Sequence, residues 1–193
     1  MSSDAQSSNT AGVAARSSMG TGGIGLVLAN DRFAQVAIVL TRITVAFLWI
    51  QNTRWKVPPD FGEDAGRGLY AFTNDAIDHQ VFGPYAAFVD NVILPNLAIF
   101  GWIVLFTEAA IGATLLMGFA TRLMGLVAVG QAGAIFLSVS QTPGEWPWSY
   151  YLMMVGGLVL AGVGAGRVLG LDAVLRPRLL ASHGLWRRSA VVT

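Results

Sequence analysis

The run LAIFGWIVLFTEAAIGATLLM, residues 97–117, is long and apolar enough to cross a lipid bilayer as a single helix. It carries one charged side chain, Glu108, near its middle. Burying a lone carboxylate in hydrocarbon costs several kcal/mol, so such groups normally face protein and have a partner. We therefore expect Glu108 to point into the protein interior and to be paired there.

The composition of the whole chain indicates an integral membrane protein. Of its 193 residues, 54% are hydrophobic and 12% are charged, whereas soluble domains carry about 25% charged residues. The net charge of +1 gives no basic surface for binding nucleic acid. There is no Cys, and the two His lie outside the apolar runs. The sequence therefore predicts no disulfide, no metal site and no covalently bound cofactor.

Three further apolar runs accompany the first. They cover about residues 33–53, 123–140 and 149–168. The four runs predict an all-α integral membrane protein, in which a bundle of four transmembrane helices occupies residues 33–175. Residues 1–32, rich in Ser and Gly, are expected to form a disordered cytoplasmic tail, and residues 176–193 a basic cytoplasmic tail.

Residues 54–95 connect the first and second predicted spans and hold six of the eleven acidic residues. Apolar residues recur in this connection at helical spacing, which predicts one or two amphipathic helices on the membrane surface. Such a segment would act as a surface anchor or as a cap over the mouth of the bundle. We predict a multi-pass protein of the cell membrane. Basic residues concentrate at Arg122 and in the C-terminal tail, so the positive-inside rule predicts that these segments are cytoplasmic. Both termini would be cytoplasmic and the 54–95 segment extracytoplasmic.

Polar and small residues inside the predicted spans indicate where the helices meet. Arg42, Glu108 and Gln131 each lie near the middle of a span, so antiparallel packing would place them at one depth. We expect Arg42 to pair with Glu108, since a guanidinium satisfies several carboxylate acceptors at once, with Gln131 nearby. The pair either fixes helix register or lines a cavity that handles protons or a polar head group; the residues leave both interpretations open. Three glycines are expected at helix contacts: Gly112, Gly162 and Gly166.

Four short motifs occur one after another along the chain. They are Arg42 followed by Lys56; Glu108, Gly112, Gly118, Thr121 and Arg122; Gly164-Ala165-Gly166-Arg167; and Leu171-Asp172. In this order and spacing they resemble the DoxX/DoxD family of small four-helix membrane proteins, over about residues 33–175. The chain departs from the family pattern at Gln51-Asn52-Thr53, where many members have a Gly before the Lys. It also departs in the long acidic 54–95 segment, which favours the DoxD-like branch.

The resemblance implies a membrane subunit of a respiratory or redox complex that is linked to quinone. DoxD-type members belong to thiosulfate:quinone oxidoreductase, and DoxX-type members are associated with thiol and superoxide defence alongside soluble partners. On this basis the expected partners are the lipid bilayer and other subunits of the complex, and the expected ligand is a quinone. Its candidate site comprises Arg42, Glu108, Gln131 and Lys56. The alternatives are a small transporter or channel that uses a midplane Arg–Glu pair, and a structural anchor for soluble oxidoreductases.

Overall fold

The computed structural model describes residues 31–182 and 188–193, and the regular elements within these ranges are all helical. The α-helices are α1 (Arg32–Asn52), α2 (Gly68–Asp78), α3 (Gly83–Phe88), α4 (Leu97–Met117), α5 (Thr121–Val139), α6 (Pro147–Val163) and α7 (Leu171–Ala181). A π-helical turn, Val89–Ile93, and a 3-10 turn, Leu94–Asn96, join α3 to α4. Further 3-10 turns follow α6 and α7, at Ala165–Arg167 and Ser189–Val191. Nearly all of the predicted N-terminal tail, and residues 183–187 of the predicted basic tail, lie outside the described residues.

Internal contacts divide the chain into two units, residues 1–37 and Ile38–Thr193. The described part of the first unit is the beginning of α1. There the Phe33 N–H donates to Asp31 Oδ1 at 2.9 Å, so Asp31 satisfies one of the free N–H groups at the helix start. The second unit contains the remaining helices and both polar clusters considered below. The predicted domain boundaries at residues 33 and 175 stay predictions.

Among the residues that the structure describes, three helical stretches are long and apolar enough to cross a membrane: α1, α5 and the continuous stretch Gly83–Met117, which contains α4. Helix α6 is also apolar but has 17 residues. Large apolar side chains lie on the outer faces of these helices; Phe106, for example, is 63% exposed and Leu158 58%. Apolar surface of this extent indicates a lipid environment. The four-span count and the side on which residues 54–95 lie stay predictions.

Helices α1, α4, α5 and α6 share one core. Its buried residues are Ala46, Trp49, Ile111, Leu115, Ala128, Ala132, Leu160 and Ala165. Helices α5 and α6 cross most closely at Gly125 and Gly157, because a Cβ on either glycine would lie within 2.7 Å of the other's carbonyl oxygen. Gly112 lies against α1, where a Cβ would come 2.6 Å from Ile50 Cγ1.

The expected packing role of Gly162 is wrong, since nothing lies within 4 Å of the position that its Cβ would occupy. The spacing of Gly162 and Gly166 indicates a shared helix face only if one helix contains both. Helix α6 instead ends at Gly164, which has a φ of 61° in the left-handed region. Gly166 therefore lies in the following 3-10 turn, where it packs against Gly118 and Asp172.

The connection between α1 and α4 folds onto the apolar helices instead of projecting as an extended loop. It contains α2 and α3, which confirms the prediction of short helices in this segment. The Phe61 side chain is fully buried and lies against Gly101, where a Cβ would clash with the ring. It also meets Trp102 edge-on at 5.5 Å between ring centroids. The packing of Phe61 against Gly101 and Trp102 holds the connection against the first half of α4.

Candidate functional site

Glu108 is fully buried in the middle of α4 and is paired with Lys56. Lys56 Nζ lies 2.5 Å from Glu108 Oε2, and the two side chains are 1% and 0% exposed. The ammonium also donates to the backbone oxygen of Asn52 at 2.8 Å and lies 4.1 Å from the centroid of the Trp55 ring. Burial lowers the pKa of Lys56 from its ordinary value, while the neighbouring Glu108 carboxylate acts in the opposite direction. A buried charge of each sign thus offsets the other.

Two side-chain amides complete the surroundings of the carboxylate. Asn52 Nδ2 and Gln131 Nε2 donate to Glu108 Oε1 at 3.1 and 3.4 Å. Asn52 Oδ1 in turn accepts from Trp55 Nε1 at 3.1 Å. Asn52 is the last residue of α1, Lys56 follows one turn later and Gln131 lies in α5. The network therefore joins three parts of the chain around one carboxylate.

The network forms part of the wall of a cavity of about 260 Å³. The polar side chains at the cavity belong to Asn52, Lys56, Thr73, Tyr85, Glu108, Gln131, Ser138 and Tyr150. Most of the remaining wall is apolar or aromatic, with Phe72 from α2, Val104 from α4 and Ile135 from α5. A chamber of this kind, apolar with a few placed polar groups, is typical of sites for small organic ligands.

Tyr85 ties the connecting segment to the cavity. Its hydroxyl lies 3.2 Å from the Ala134 carbonyl oxygen and 3.0 Å from Ser138 Oγ, both on α5. The Ser138 hydroxyl also donates to Ala134 at 3.0 Å. Helix α3 is thereby held against α5, and together with α2 it supplies one side of the chamber. The 54–95 segment, predicted as an anchor or a cap, contributes directly to the cavity wall.

The predicted pairing of Arg42 with Glu108 is wrong. Arg42 is buried, but its guanidinium donates to three backbone oxygens after α6, those of Ala165, Val168 and Leu169, at 2.9–3.0 Å. It also lies beside Gly118, ten residues along α4 from Glu108, which corresponds to about 15 Å of helix. Of the four residues predicted for the site, the structure brings Lys56, Glu108 and Gln131 together and leaves Arg42 near the C-terminal end of α4.

Arg42 belongs to a second polar cluster, centred on Asp172. The Asp172 carboxylate accepts from Ala120 N at 2.7 Å, from Thr121 N at 3.0 Å and from Thr121 Oγ1 at 2.8 Å. Thr121 Oγ1 accepts in turn from Gly166 N at 3.0 Å. A carboxylate at the first turn of α5 satisfies free N–H groups and complements the helix dipole. We call this cluster the Asp172 latch, since it joins the α4–α5 turn to the turn after α6.

A family model described as "TQO small subunit DoxD" matches residues 66–187, more than half of the chain. The chain belongs to the DoxD family. Comparisons with curated proteins and with solved structures found no match. The DoxD match confirms the resemblance drawn from the motifs; it includes Glu108, Gln131 and the residues of the Asp172 latch apart from Arg42.

Several cavity residues were not predicted from the sequence. Asn52 was noted as a departure from the family pattern, whereas the structure makes it a hydrogen-bond donor to Glu108. Tyr85 and Ser138 belong to different helices, and the hydrogen bond between them depends on how α3 packs against α5. The sequence feature that could have predicted the contact of Asn52 with Glu108 is its position four residues before Lys56. This spacing allows an amide and an ammonium to reach the same carboxylate.

Proposed function

We propose that this DoxD-family chain is a membrane subunit of a quinone-linked oxidoreductase, and that the cavity beside Glu108 receives the quinone head group. The family description, a small subunit of TQO, supports the first part. The observation that carries the second part is the chamber of about 260 Å³, with apolar walls and a buried Lys56–Glu108 pair. Other subunits of the complex are the proposed partners.

The donor set of the chamber suits a quinone. A quinone head group is a flat apolar ring with two carbonyl acceptors, so its site needs hydrogen-bond donors within an apolar slot. Gln131, Tyr85 and Lys56 bring an amide, a hydroxyl and an ammonium to the chamber. The Tyr85 hydroxyl would exchange a bond on α5 for one to the ligand, and Phe72 offers an aromatic surface to the ring.

Reduction of a quinone to a quinol consumes two electrons and two protons. In this proposal the Lys56 ammonium would give one proton to the reduced head group, take up another from water and give that as the second, while Asn52 and Gln131 stabilise the Glu108 carboxylate. The electrons come from a partner subunit that oxidises the sulfur compound. The role of this chain is to bind and orient the quinone and to manage its protons.

We propose the topology that the arginine distribution predicts: four spans, cytoplasmic termini, and α2 and α3 on the outer face of the cell membrane. Helix α6, with 17 residues, spans about 25 Å and is at the short limit for a transmembrane helix. The cysteine-free chain permits a direct test. In intact cells a membrane-impermeant thiol reagent should label Asp78→Cys and not Arg178→Cys. The reverse pattern would overturn the orientation.

Quinone binding is tested with the full-length protein in detergent and a short-chain ubiquinone analogue. We expect Tyr85→Phe and Gln131→Met each to weaken binding about fivefold, the equivalent of one hydrogen bond. Tyr151→Phe is the matched control for the tyrosine change, because Tyr151 is 52% exposed and does not line the cavity. Neither cavity variant removes a member of the ion pair, so both should fold.

The outcomes separate the proposed function from its alternatives. Tight binding by the wild-type protein that both cavity variants weaken supports the quinone site. No binding by the wild-type protein, despite copurification with oxidoreductase subunits, would instead favour a structural anchor. Ion or solute uptake by proteoliposomes containing the chain alone, abolished in Glu108→Gln, would favour a transporter.

A further inference from the structure

A second pocket, of about 250 Å³, lies near the Asp172 latch, some distance along the bundle from the quinone cavity. It is lined by Arg167, Asp172, Ala173, Arg176, Pro177 and Leu180. Arg167 lies in the 3-10 turn after α6, and the other lining residues are on α7. None of these residues takes part in the network around Glu108. The pocket is therefore a separate feature with its own chemistry.

Positive charge is in excess at this pocket. Burial lowers the pKa of Arg167, and the nearby charges of Arg122 and Arg176 lower it further, whereas Asp172 acts in the opposite direction. Two guanidinium groups, those of Arg167 and Arg176, line the pocket together with the Asp172 carboxylate, and Arg122 is close enough to Arg167 to act on its charge. Both oxygens of Asp172 are already occupied by N–H and O–H groups at the start of α5. In the part of the chain that the structure describes, no acidic side chain forms a salt bridge with these arginines.

The arginines also retain hydrogen-bonding capacity. Arg122 Nε and Arg176 Nε are buried atoms without a hydrogen-bond partner among residues 31–182 and 188–193. Arg167 uses Nε and Nη2 on the backbone oxygen of Thr193, and Arg122 reaches the Gly162 carbonyl oxygen only at 3.5 Å. Leaving a buried guanidinium N–H unpaired is costly, so Arg176, which lines the pocket, favours the binding of a further acceptor there.

We propose that the pocket between the Ala165–Arg167 turn and α7 binds a phosphate group, held by Arg167 and Arg176 with Arg122 beside them. Guanidinium groups match phosphate oxygens in geometry and charge. The group is carried either by an anionic phospholipid or by a soluble phosphate. In the proposed topology the end of the bundle that bears Arg122 is cytoplasmic, the side on which basic pockets between helices bind anionic headgroups. Binding there would clamp α7 to the ends of α6 and α4.

The test uses the full-length protein in detergent, with phosphatidylglycerol, phosphatidylcholine and inorganic phosphate as separate probes. Retained lipid is counted by native mass spectrometry, and thermal unfolding is followed in parallel. Phosphatidylglycerol should be retained and should raise the melting temperature, whereas phosphatidylcholine should do so less. Arg176→Gln should weaken retention about tenfold, as expected for one charged hydrogen-bonding partner.

Arg178→Gln is the matched control, because Arg178 is exposed on the same helix and does not line the pocket. It should behave like the wild-type protein. Arg167→Gln, which also loses its bond to Thr193, serves as a second variant only if its unliganded melting temperature equals that of the wild-type protein. Equal stabilisation by inorganic phosphate, lost in Arg176→Gln, would support the site and identify a soluble anion as its ligand. Equal effects of Arg176→Gln and Arg178→Gln, or no response to any probe, would overturn the proposal.

Discussion

Replacing Lys56 with Met strands the carboxylate of Glu108 in the protein interior. Glu108 is 0% exposed and would keep only its two amide donors, at 3.1 and 3.4 Å. Breaking one member of a buried ion pair costs about 3–5 kcal/mol. The amides remain in place, so we expect Lys56→Met to lower the free energy of unfolding by about 3 kcal/mol. Glu108→Gln, which strands Lys56, should cost a similar amount.

The double variant removes both charges and leaves side chains of similar size. We expect it to recover much of the loss, with a coupling energy between the two positions of at least about 2 kcal/mol. Reversible unfolding of the purified protein in micelles of rising SDS fraction measures each free energy. Glu63→Gln is the control, since Glu63 is an exposed acid in the same connection. Additive losses in the double variant would refute the claim that the two charges stabilise each other.

The same double variant separates a structural pair from a functional one. If the pair only fixes the connection against α4, the double variant should fold, assemble with its partners and support quinone reduction. If the pair handles a proton, the double variant should fold and assemble, yet the complex should fail to reduce quinone. Measuring both the free energy of unfolding and the rate of quinone reduction for the double variant distinguishes a structural pair from a proton-handling pair.

Four other substitutions probe the rest of the bundle, each measured by thermal unfolding in detergent. Asp172→Ala leaves buried N–H groups at the start of α5 unpaired and should cost about 3 kcal/mol; a loss below about 1 kcal/mol would contradict the latch. Gly157→Ala places a Cβ 2.7 Å from a backbone oxygen of α5 and should cost about 1–3 kcal/mol, whereas Gly162→Ala, facing open space, should be neutral or stabilising by up to about 1 kcal/mol. Gly118→Ala combines a φ of 67° with contacts of 2.6 and 2.7 Å to Arg42 and Gly170, and should cost at least about 2 kcal/mol. Equal stabilities of the Gly157 and Gly162 variants would contradict the helix crossing.

The helices were predictable because their signal is local. The apolar run of residues 97–117 coincides with α4, and the glycine that follows ends the helix in a left-handed conformation. The interior position of Glu108 followed from the cost of a charge in lipid. That argument specifies that a partner exists, and it does not specify which residue the partner is.

The partner was assigned wrongly because the argument assumed that helix midpoints share one depth. In the structure α1 is displaced along α4, so that its last residue, Asn52, lies opposite Glu108 and its middle residue, Arg42, lies opposite Gly118. The offset accompanies the packing of Phe61 into the space left by Gly101. A single aromatic residue in a connection and a single glycine on a helix leave no periodic signal in the sequence, so the displacement could not be predicted from hydrophobic pattern.

The motif residues divide between two different tasks once they are placed in the structure. Gly118, Thr121, Gly166 and Asp172 meet in the latch, where the Asp172 carboxylate and the Thr121 hydroxyl hold one turn against another. Lys56 and Glu108 meet at a cavity instead, where neighbouring polar groups face open space. A polar cluster whose groups bond to one another rigidifies a bundle, whereas a charged cluster beside an apolar chamber has room to interact with a ligand. The same family motif therefore contains a structural part at one end of α4 and a candidate chemical part at its middle, and substitutions in the first should change stability without changing quinone affinity in the folded fraction.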